Sequence, residues 1–137
     1  MIRPEIWSCL QVSELTDFEF RVYIGLISMA DDEGRLTANP IVLSASLFPF
    51  SGDPQTAINL QKAIVRMESL RDDKDNAPLI GLYQIGKAAY IYHPNWHKYQ
   101  YINPKNKQMN ALPKPGPMAR YKGERKNVNA YGYTLNE

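Results

Sequence analysis

The sequence has 137 residues, of which 44% are hydrophobic and 11% aromatic; this allows one domain with a packed core and argues against global disorder. Its apolar runs are much shorter than a membrane span, and Arg3 and Glu5 interrupt any secretory leader, so we expect a cytoplasmic protein with no membrane partner. The single cysteine, Cys9, excludes an internal disulfide.

The charge is distributed unevenly along the chain. Residues 1–78 carry seven Lys/Arg and twelve Asp/Glu, whereas residues 79–137 carry nine Lys/Arg and two Asp/Glu. An acidic body with a basic end is typical of a protein that binds a polyanion, but also of one whose basic end is simply solvated. Composition alone leaves both interpretations open.

The first predicted helix covers residues 16–30. Thr16 or Asp17 supplies an N-cap, and Glu19 places an acid in the first turn, where the helix dipole favours it. The apolar positions at helical spacing are Phe18, Val22, Leu26 and Met29. Before this helix, Pro4 predicts an extended segment over Arg3–Trp7.

Two further helices are predicted over residues 40–48 and 54–70. An Asn-Pro pair at 39–40 and an Asp-Pro pair at 53–54 each place a capping side chain before a proline, whose fixed φ suits the first helical position. The third helix turns an apolar face inward at the positions Ala57, Leu60, Ala63, Ile64, Met67 and Leu70.

The opposite face of the third helix is polar and partly basic, and we take it as the candidate DNA-contacting surface. Its members are Gln55, Asn59, Lys62, Arg66 and Ser69. Asn and Gln can pair with adenine edges, and Lys and Arg can bind guanine or phosphate. Any surface helix also carries a polar stripe, and the nearby acids Asp72, Asp73 and Asp75 would repel a phosphate backbone.

After Pro78 the apolar period changes from helical to two, which predicts a β-hairpin within residues 79–93 with its turn at Ile85–Lys87. Lys87 lies near the tip, where it either contacts phosphate or serves solubility. Across all these elements we expect the core to contain Trp7, Val22, Leu26, Leu43, Leu47, Leu60, Ile64, Met67, Leu82 and Ile91.

From Asn103 onward the chain contains four prolines and few large aliphatic residues, so we expect it to bury too little surface to offset the entropy of ordering it. We therefore divide the chain into a domain over 1–103 and an irregular, basic tail over 104–137. Lysines of this tail, beginning with Lys105 and Lys107, either bind DNA through counterion release or remain solvated. The string His97–Tyr101 mixes aromatic and basic residues, which suits either base stacking or core packing.

No catalytic or metal centre is predicted. His93 and His97 are four residues apart, but Pro94 lies between them and prevents the helix that such a ligand pair needs. The acids at Asp31–Glu33 resemble a loop at a helix end, and neither a phosphate-binding glycine loop nor a nucleophile motif is present. We therefore expect a non-enzymatic protein without cofactor or metal.

Three helices followed by a hairpin are the element order of a winged helix, in which the second and third helices form a helix-turn-helix and the hairpin is the wing. The predicted fold class is therefore α+β, a winged helix with a largely irregular C-terminal tail. The inference rests on the order and length of the elements, so other small α+β folds remain open.

Five strings in the same order resemble the N-terminal domain of phage and prophage replication proteins. The pairs are Arg3–Trp7 with "KPEFW", Gly25–Leu36 with "GLWNLADDEGRL", Ala38–Pro40 with "ANP", Leu47–Phe50 with "LFPY", and Pro94–Asn103 with "NFHKHQRIN". Family members often have a basic residue where Tyr101 stands, and they continue into a longer C-terminal domain.

The resemblance implies a winged-helix DNA-binding domain of a replication-initiation or helicase-loading protein, with duplex DNA and replication proteins as partners in a bacterial host. Two other functions stay open. One is a winged-helix module that binds a protein partner and not DNA, and the other is a phage transcription regulator. Neither the DNA sequence preference nor the oligomeric state can be derived from the sequence.

Overall fold

A computed structural model describes residues 2–96, 112–113 and 128–135. It is an α+β structure with a three-stranded antiparallel sheet. In chain order the helices and strands are a 3-10 helix at Pro4–Ser8, α1 at Leu10–Ser13, α2 at Asp17–Ser28, β1 at Arg35–Thr37, α3 at Pro40–Leu47, α4 at Gln55–Ser69, β2 at Gly81–Ile85, β3 at Ala88–Tyr92 and a 3-10 helix at Ala130–Gly132. This arrangement is compatible with a winged helix.

α2 begins with a capping box. Oγ1 of Thr16 accepts a hydrogen bond from the Glu19 amide at 3.2 Å, and Oε1 of Glu19 accepts one from the Thr16 amide at 2.9 Å. Two amides that lack helical partners are thereby satisfied. The predicted start at Thr16 is confirmed, and the helix ends at Ser28 instead of residue 30.

The Asn-Pro pair acts as predicted, with Asn39 as N-cap and Pro40 as the first residue of α3, whereas at α4 the N-cap is Pro54 itself and Asp53 lies one residue before it. Oδ1 of Asn39 accepts from the Ile41 amide at 3.0 Å at the start of α3, and Oδ1 of Asp53 accepts from the Gln55 amide at 2.9 Å at the start of α4. The predicted range differs from the observed one by one residue at the C-terminal end of α3 and by one residue at each end of α4. The connection of 48–54 is longer than the three- to four-residue turn typical of a helix-turn-helix.

The predicted hairpin is confirmed: β2 and β3 pair directly, and Gly86 takes a φ of 61° in the two-residue turn. The sheet also contains β1, which the sequence analysis missed. β1 pairs with the far edge of β3, so that Leu36 lies opposite Ile91. Three residues are too few to show a period, and the partner strand is distant in sequence.

The core forms where the inward face of α4 meets α2 and α3, and buried residues of the sheet belong to the same cluster. Leu60, Ile64 and Met67 are fully buried there, as predicted. Val22, Leu26, Leu43, Leu82 and Ile91 are buried too, whereas Leu47 is only partly buried. The prediction therefore holds for the inward faces of the long helices and of the hairpin.

Two predictions for the N-terminal segment are wrong. Arg3 is extended, as Pro4 requires, but the proline itself starts a 3-10 helix and Arg3–Trp7 is not a strand. Trp7 is 76% exposed because its ring lies on one face of Phe20, at 5.6 Å between centroids, with the other face open. The clash that disfavours helix acts on the residue before the proline and not on the residues after it.

Residues 128–135 pack against the domain although they lie in the segment predicted to bury little. Val128, Tyr133 and Leu135 are buried and belong to the main core. The expectation of low burial beyond Asn103 is therefore wrong for these eight residues, because their three apolar side chains reach the core from a nearly irregular backbone. Within the described ranges, no helix is long and apolar enough to span a bilayer.

Candidate nucleic-acid interface

The five polar positions predicted on the third helix lie together on the outward face of α4. Gln55, Asn59, Lys62, Arg66 and Ser69 are all exposed, and their spacing of three and four residues places them along one side of the helix. Nε2 of Gln55 donates to Oδ1 of Asn59 at 3.3 Å. The stripe therefore presents amide groups at its N-terminal end and cations toward its C-terminal end.

The Arg66 side chain is bound to other residues of the domain. Its Nε donates to Oε1 of Glu19 at 3.0 Å, and its Nη2 donates to the Glu14 carbonyl at 2.7 Å. Glu19 is buried and also caps α2, so the guanidinium neutralises a carboxylate that holds the helix start. Arg66 thus links α4 to α2, although its side chain remains 44% exposed.

Ser69 is likewise used locally. Its Oγ donates to the Arg66 carbonyl at 2.5 Å, at the last turn of α4. Within the described residues, Lys62 makes no hydrogen bond or ion pair and is exposed. The part of the stripe that is open to a ligand is therefore its middle, Asn59 and Lys62, with Gln55 beside them.

The acids beyond α4 form a self-contained loop. Oδ1 of Asp72 accepts from the amides of Lys74 and Asp75 at 2.8 and 3.3 Å, and these backbone hydrogen bonds lower the pKa of Asp72 below its usual value. The carboxylate consequently stays charged near the C-terminal end of α4. The repulsion of a phosphate backbone at that end stays a prediction.

The hairpin carries Lys87 at its exposed turn, as predicted. Its neighbour Gln84 is bound to the C-terminal segment: Oε1 of Gln84 accepts from the amides of Asn129 and Ala130 at 3.1 and 3.3 Å. On α4, Nε2 of Gln61 donates to the Tyr131 carbonyl at 2.9 Å. Residues 128–135 therefore bridge α4 and the hairpin.

Sequence reasoning missed this bridge. The apolar spacing of Val128, Tyr133 and Leu135 was its only local signal, and the two glutamines that bind the backbone look like ordinary surface residues. Lys105 and Lys107, predicted to help in DNA binding, lie outside the described residues.

A second surface, which we call the α3 surface, consists of Ile41, Val42 and Phe50. These side chains are 76%, 46% and 99% exposed, and no charged residue occurs between Ala38 and Gly52. In space, Arg21 of α2 lies over the Phe48 ring and donates to the Leu47 carbonyl, so one cation borders this segment. Large exposed apolar side chains are typical of contact surfaces for other proteins. The sequence analysis assigned no function to these residues.

The described residues contain no cluster of His, Cys, Asp and Glu that could hold a metal ion. Asp31 is used in a turn, where its Oδ1 accepts from the amides of Glu33 and Arg35, both at 2.9 Å. Compared with the models of known protein families, with curated proteins and with solved structures, the chain gives no match.

Proposed function

We propose that the chain is a non-catalytic DNA-binding module of the winged-helix type that serves a phage replication apparatus. Duplex DNA and replication proteins are the partners this role requires, and its location is the cytoplasm of the bacterial host. The replication role rests on the five sequence strings described above. The DNA-binding role rests on the outward face of α4.

The observation that carries DNA binding is the open middle of the α4 stripe. Asn59 and Lys62 are exposed on one face of a helix that follows a second helix and precedes a hairpin. An Asn amide can bind an adenine edge, and a lysine with no partner in the described part of the chain can bind a guanine edge or a phosphate. Lys87 on the hairpin supplies a second cation at an exposed turn.

Arg66 contributes indirectly in this proposal. Its guanidinium binds Glu19 and the Glu14 carbonyl, so it holds the angle between α4 and the start of α2. Reversing its charge would damage both the fold and any DNA contact, and the two effects could not be separated. Lys62 is therefore the better position at which to test DNA contact.

The test is fluorescence anisotropy with labelled duplex and single-stranded DNA over a series of salt concentrations. We expect the parent to bind duplex DNA with a negative slope of log K against log salt concentration. Lys62→Glu should weaken binding and reduce the magnitude of that slope by about the amount that one phosphate contact contributes. Lys74→Glu is the matched control, because Lys74 is equally exposed but lies in the acidic loop. If Lys62→Glu and Lys74→Glu bound equally well, α4 would not be the DNA-contacting helix.

A second function, a protein-interaction module, is favoured by the α3 surface. Ile41 and Phe50 expose most of their area without any neighbouring charge in sequence, and a phosphate backbone gains nothing from such a surface. We expect this function to show as absence of DNA binding at low salt together with concentration-dependent association in sedimentation velocity. The double variant Ile41→Ser, Phe50→Ser should abolish that association, whereas intact DNA binding without association would exclude this second function.

A further inference from the structure

The domain contains a cleft of about 130 Å³, and none of its lining residues belongs to α4. Its walls come from the N-terminal segment with α1, from α2, from the chain between Asp72 and Leu79 and from the chain that follows β3; its polar lining includes Arg3, Glu5, Gln11 and Asp72. The apolar and aromatic part of the lining consists of Ile6, Val12, Tyr23, Ile27, Leu79 and Trp96. Its size is close to that of an engineered protein cavity of ~150 Å³ that binds benzene.

His93 is the buried polar side chain of this lining, with only 8% of its surface exposed. Its Nε2 lies 3.1 Å from the Leu26 carbonyl, and because a carbonyl only accepts, Nε2 carries the proton. The rings of Tyr23 and Trp96 flank the imidazole at 6.1 and 5.3 Å between centroids. The imidazole is thus held in one tautomer and one orientation.

The other ring nitrogen, Nδ1, is then a hydrogen-bond acceptor, because burial lowers the pKa of His93 to about 4 and keeps the ring neutral. In the described part of the chain Nδ1 has no hydrogen-bond partner. Nδ1 is nevertheless not sealed off completely, because among the described residues the Tyr133 hydroxyl is the one side-chain atom that is both fully buried and without a hydrogen-bond partner. His93 is one of the residues that line the cleft.

We propose that this cleft binds one ring-sized apolar group that donates a single hydrogen bond to Nδ1 of His93, the chemistry of an indole or a phenol. The apolar walls bury the ring, and the acceptor offsets the cost of desolvating one N–H or O–H group. The group comes either from a free small molecule or from a Trp or Tyr side chain of a partner protein. The site is independent of the proposed DNA contact.

The test is a titration of the ¹⁵N-labelled full chain with indole, phenol and toluene, followed by amide chemical shifts. We expect saturable shifts at Cys9, His93 and Trp96 in the millimolar range for indole and phenol. Toluene should bind about fivefold to tenfold more weakly, the factor that one neutral hydrogen bond supplies. Blocked amides of Trp and Tyr distinguish the sources: binding tighter than that of indole or phenol indicates a partner side chain, and weaker binding indicates a free ligand.

Ile27→Phe should fill the cleft and abolish the shifts, whereas Ile24→Phe is the matched control, since Ile24 lies on the same helix but does not line the cleft. If Ile27→Phe does not fold, Cys9→Leu replaces it, because Cys9 also lines the cleft and belongs to the N-terminal part of the chain. The proposal is overturned by absence of saturable shifts in the parent, by toluene binding as tightly as phenol, or by undiminished binding to a folded filled variant.

Discussion

Gly34 lies in the turn between α2 and β1 with a φ of +76°, a conformation that other L residues adopt at a cost. A Cβ at this position would meet the Trp96 ring at 2.5 Å. The same ring is fixed by a hydrogen bond from its Nε1 to the Asp32 carbonyl at 2.9 Å, so it has little room to move away. The turn and the aromatic ring therefore depend on each other.

We expect Gly34→Ala to lower the free energy of unfolding by about 2 kcal/mol or more, from backbone strain and from overlap with Trp96. Gly52→Ala is the matched control, because a Cβ there has no atom within 4 Å. Urea unfolding of both variants measures the difference. Equal midpoints for the two variants would contradict the packing described for Trp96.

His93 makes stability depend on pH. Its pKa falls from 6.5 to about 4 on burial, so between these values the unfolded chain binds a proton that the folded chain does not. The contribution of His93 to stability is complete above pH 6.5 and is lost as the pH falls toward 4. At about 1.4 kcal/mol for each pKa unit, the full loss is roughly 3 kcal/mol.

His93→Gln should remove this dependence while keeping a donor for the Leu26 carbonyl. The other charged groups on the cleft, Arg3, Glu5 and Asp72, are present in parent and variant alike, so we compare the two proteins to isolate the histidine. We expect the urea midpoint of the parent to fall between pH 6.5 and about 5 more steeply than that of the variant. Parallel slopes would show that His93 accepts a proton in the folded state.

At the scale of elements, α4 and α2 are joined by the ion pair between Arg66 and Glu19. Arg66→Met keeps the aliphatic stem but leaves the buried Glu19 carboxylate without its cation. Since the guanidinium is 44% exposed, water replaces part of the lost interaction, and we expect a loss of about 1–2 kcal/mol in the free energy of unfolding.

Lys62→Met, on the same face of α4, is the control and should change stability by less than about 0.5 kcal/mol. In the anisotropy assay, Lys62→Met should weaken DNA binding although the protein stays well folded. Arg66→Met should change DNA binding only through its loss of stability. Chemical denaturation and anisotropy on the same preparations test both statements. Equal destabilisation by the two substitutions would show that the Arg66–Glu19 pair contributes nothing measurable.

At the scale of the whole molecule, the segment 128–135 is part of the folded unit. Val128, Tyr133 and Leu135 are buried, and hydrogen bonds from Gln61 and to Gln84 fix the backbone between them. Burial of large side chains is worth about 1.5–3 kcal/mol each, which is a large share of the 5–15 kcal/mol typical of a domain.

Ending the chain after Asn127 should therefore lower the melting temperature by about 10 °C or more, or abolish cooperative unfolding. Thr134→Ala is the control within the segment, because Thr134 is exposed. Circular dichroism during heating measures both. A truncated chain that melts like the parent would show that the segment only rests on the surface.

How much of this structure the sequence predicts depends on how far apart in the sequence the interacting residues lie. Some features are local and can be recognised from a few neighbouring residues: the capping box at Thr16, the Asn-Pro and Asp-Pro pairs at helix starts, and the apolar period of α4. The polar stripe on α4 was predictable for the same reason. The helix and hairpin ranges accordingly agree with the structure to within about two residues.

Only the tertiary structure decided which members of the stripe are open to a ligand. Arg66 and Glu19 are 47 residues apart in sequence, and Gln61 and Tyr131 are 70 apart, so no local pattern reports either contact. The same holds for the pairing of β1 with β3 and for the cleft around His93, whose walls come from four separate segments. Local propensity and periodicity set the elements, whereas burial and partners arise from packing between residues that are distant in the chain.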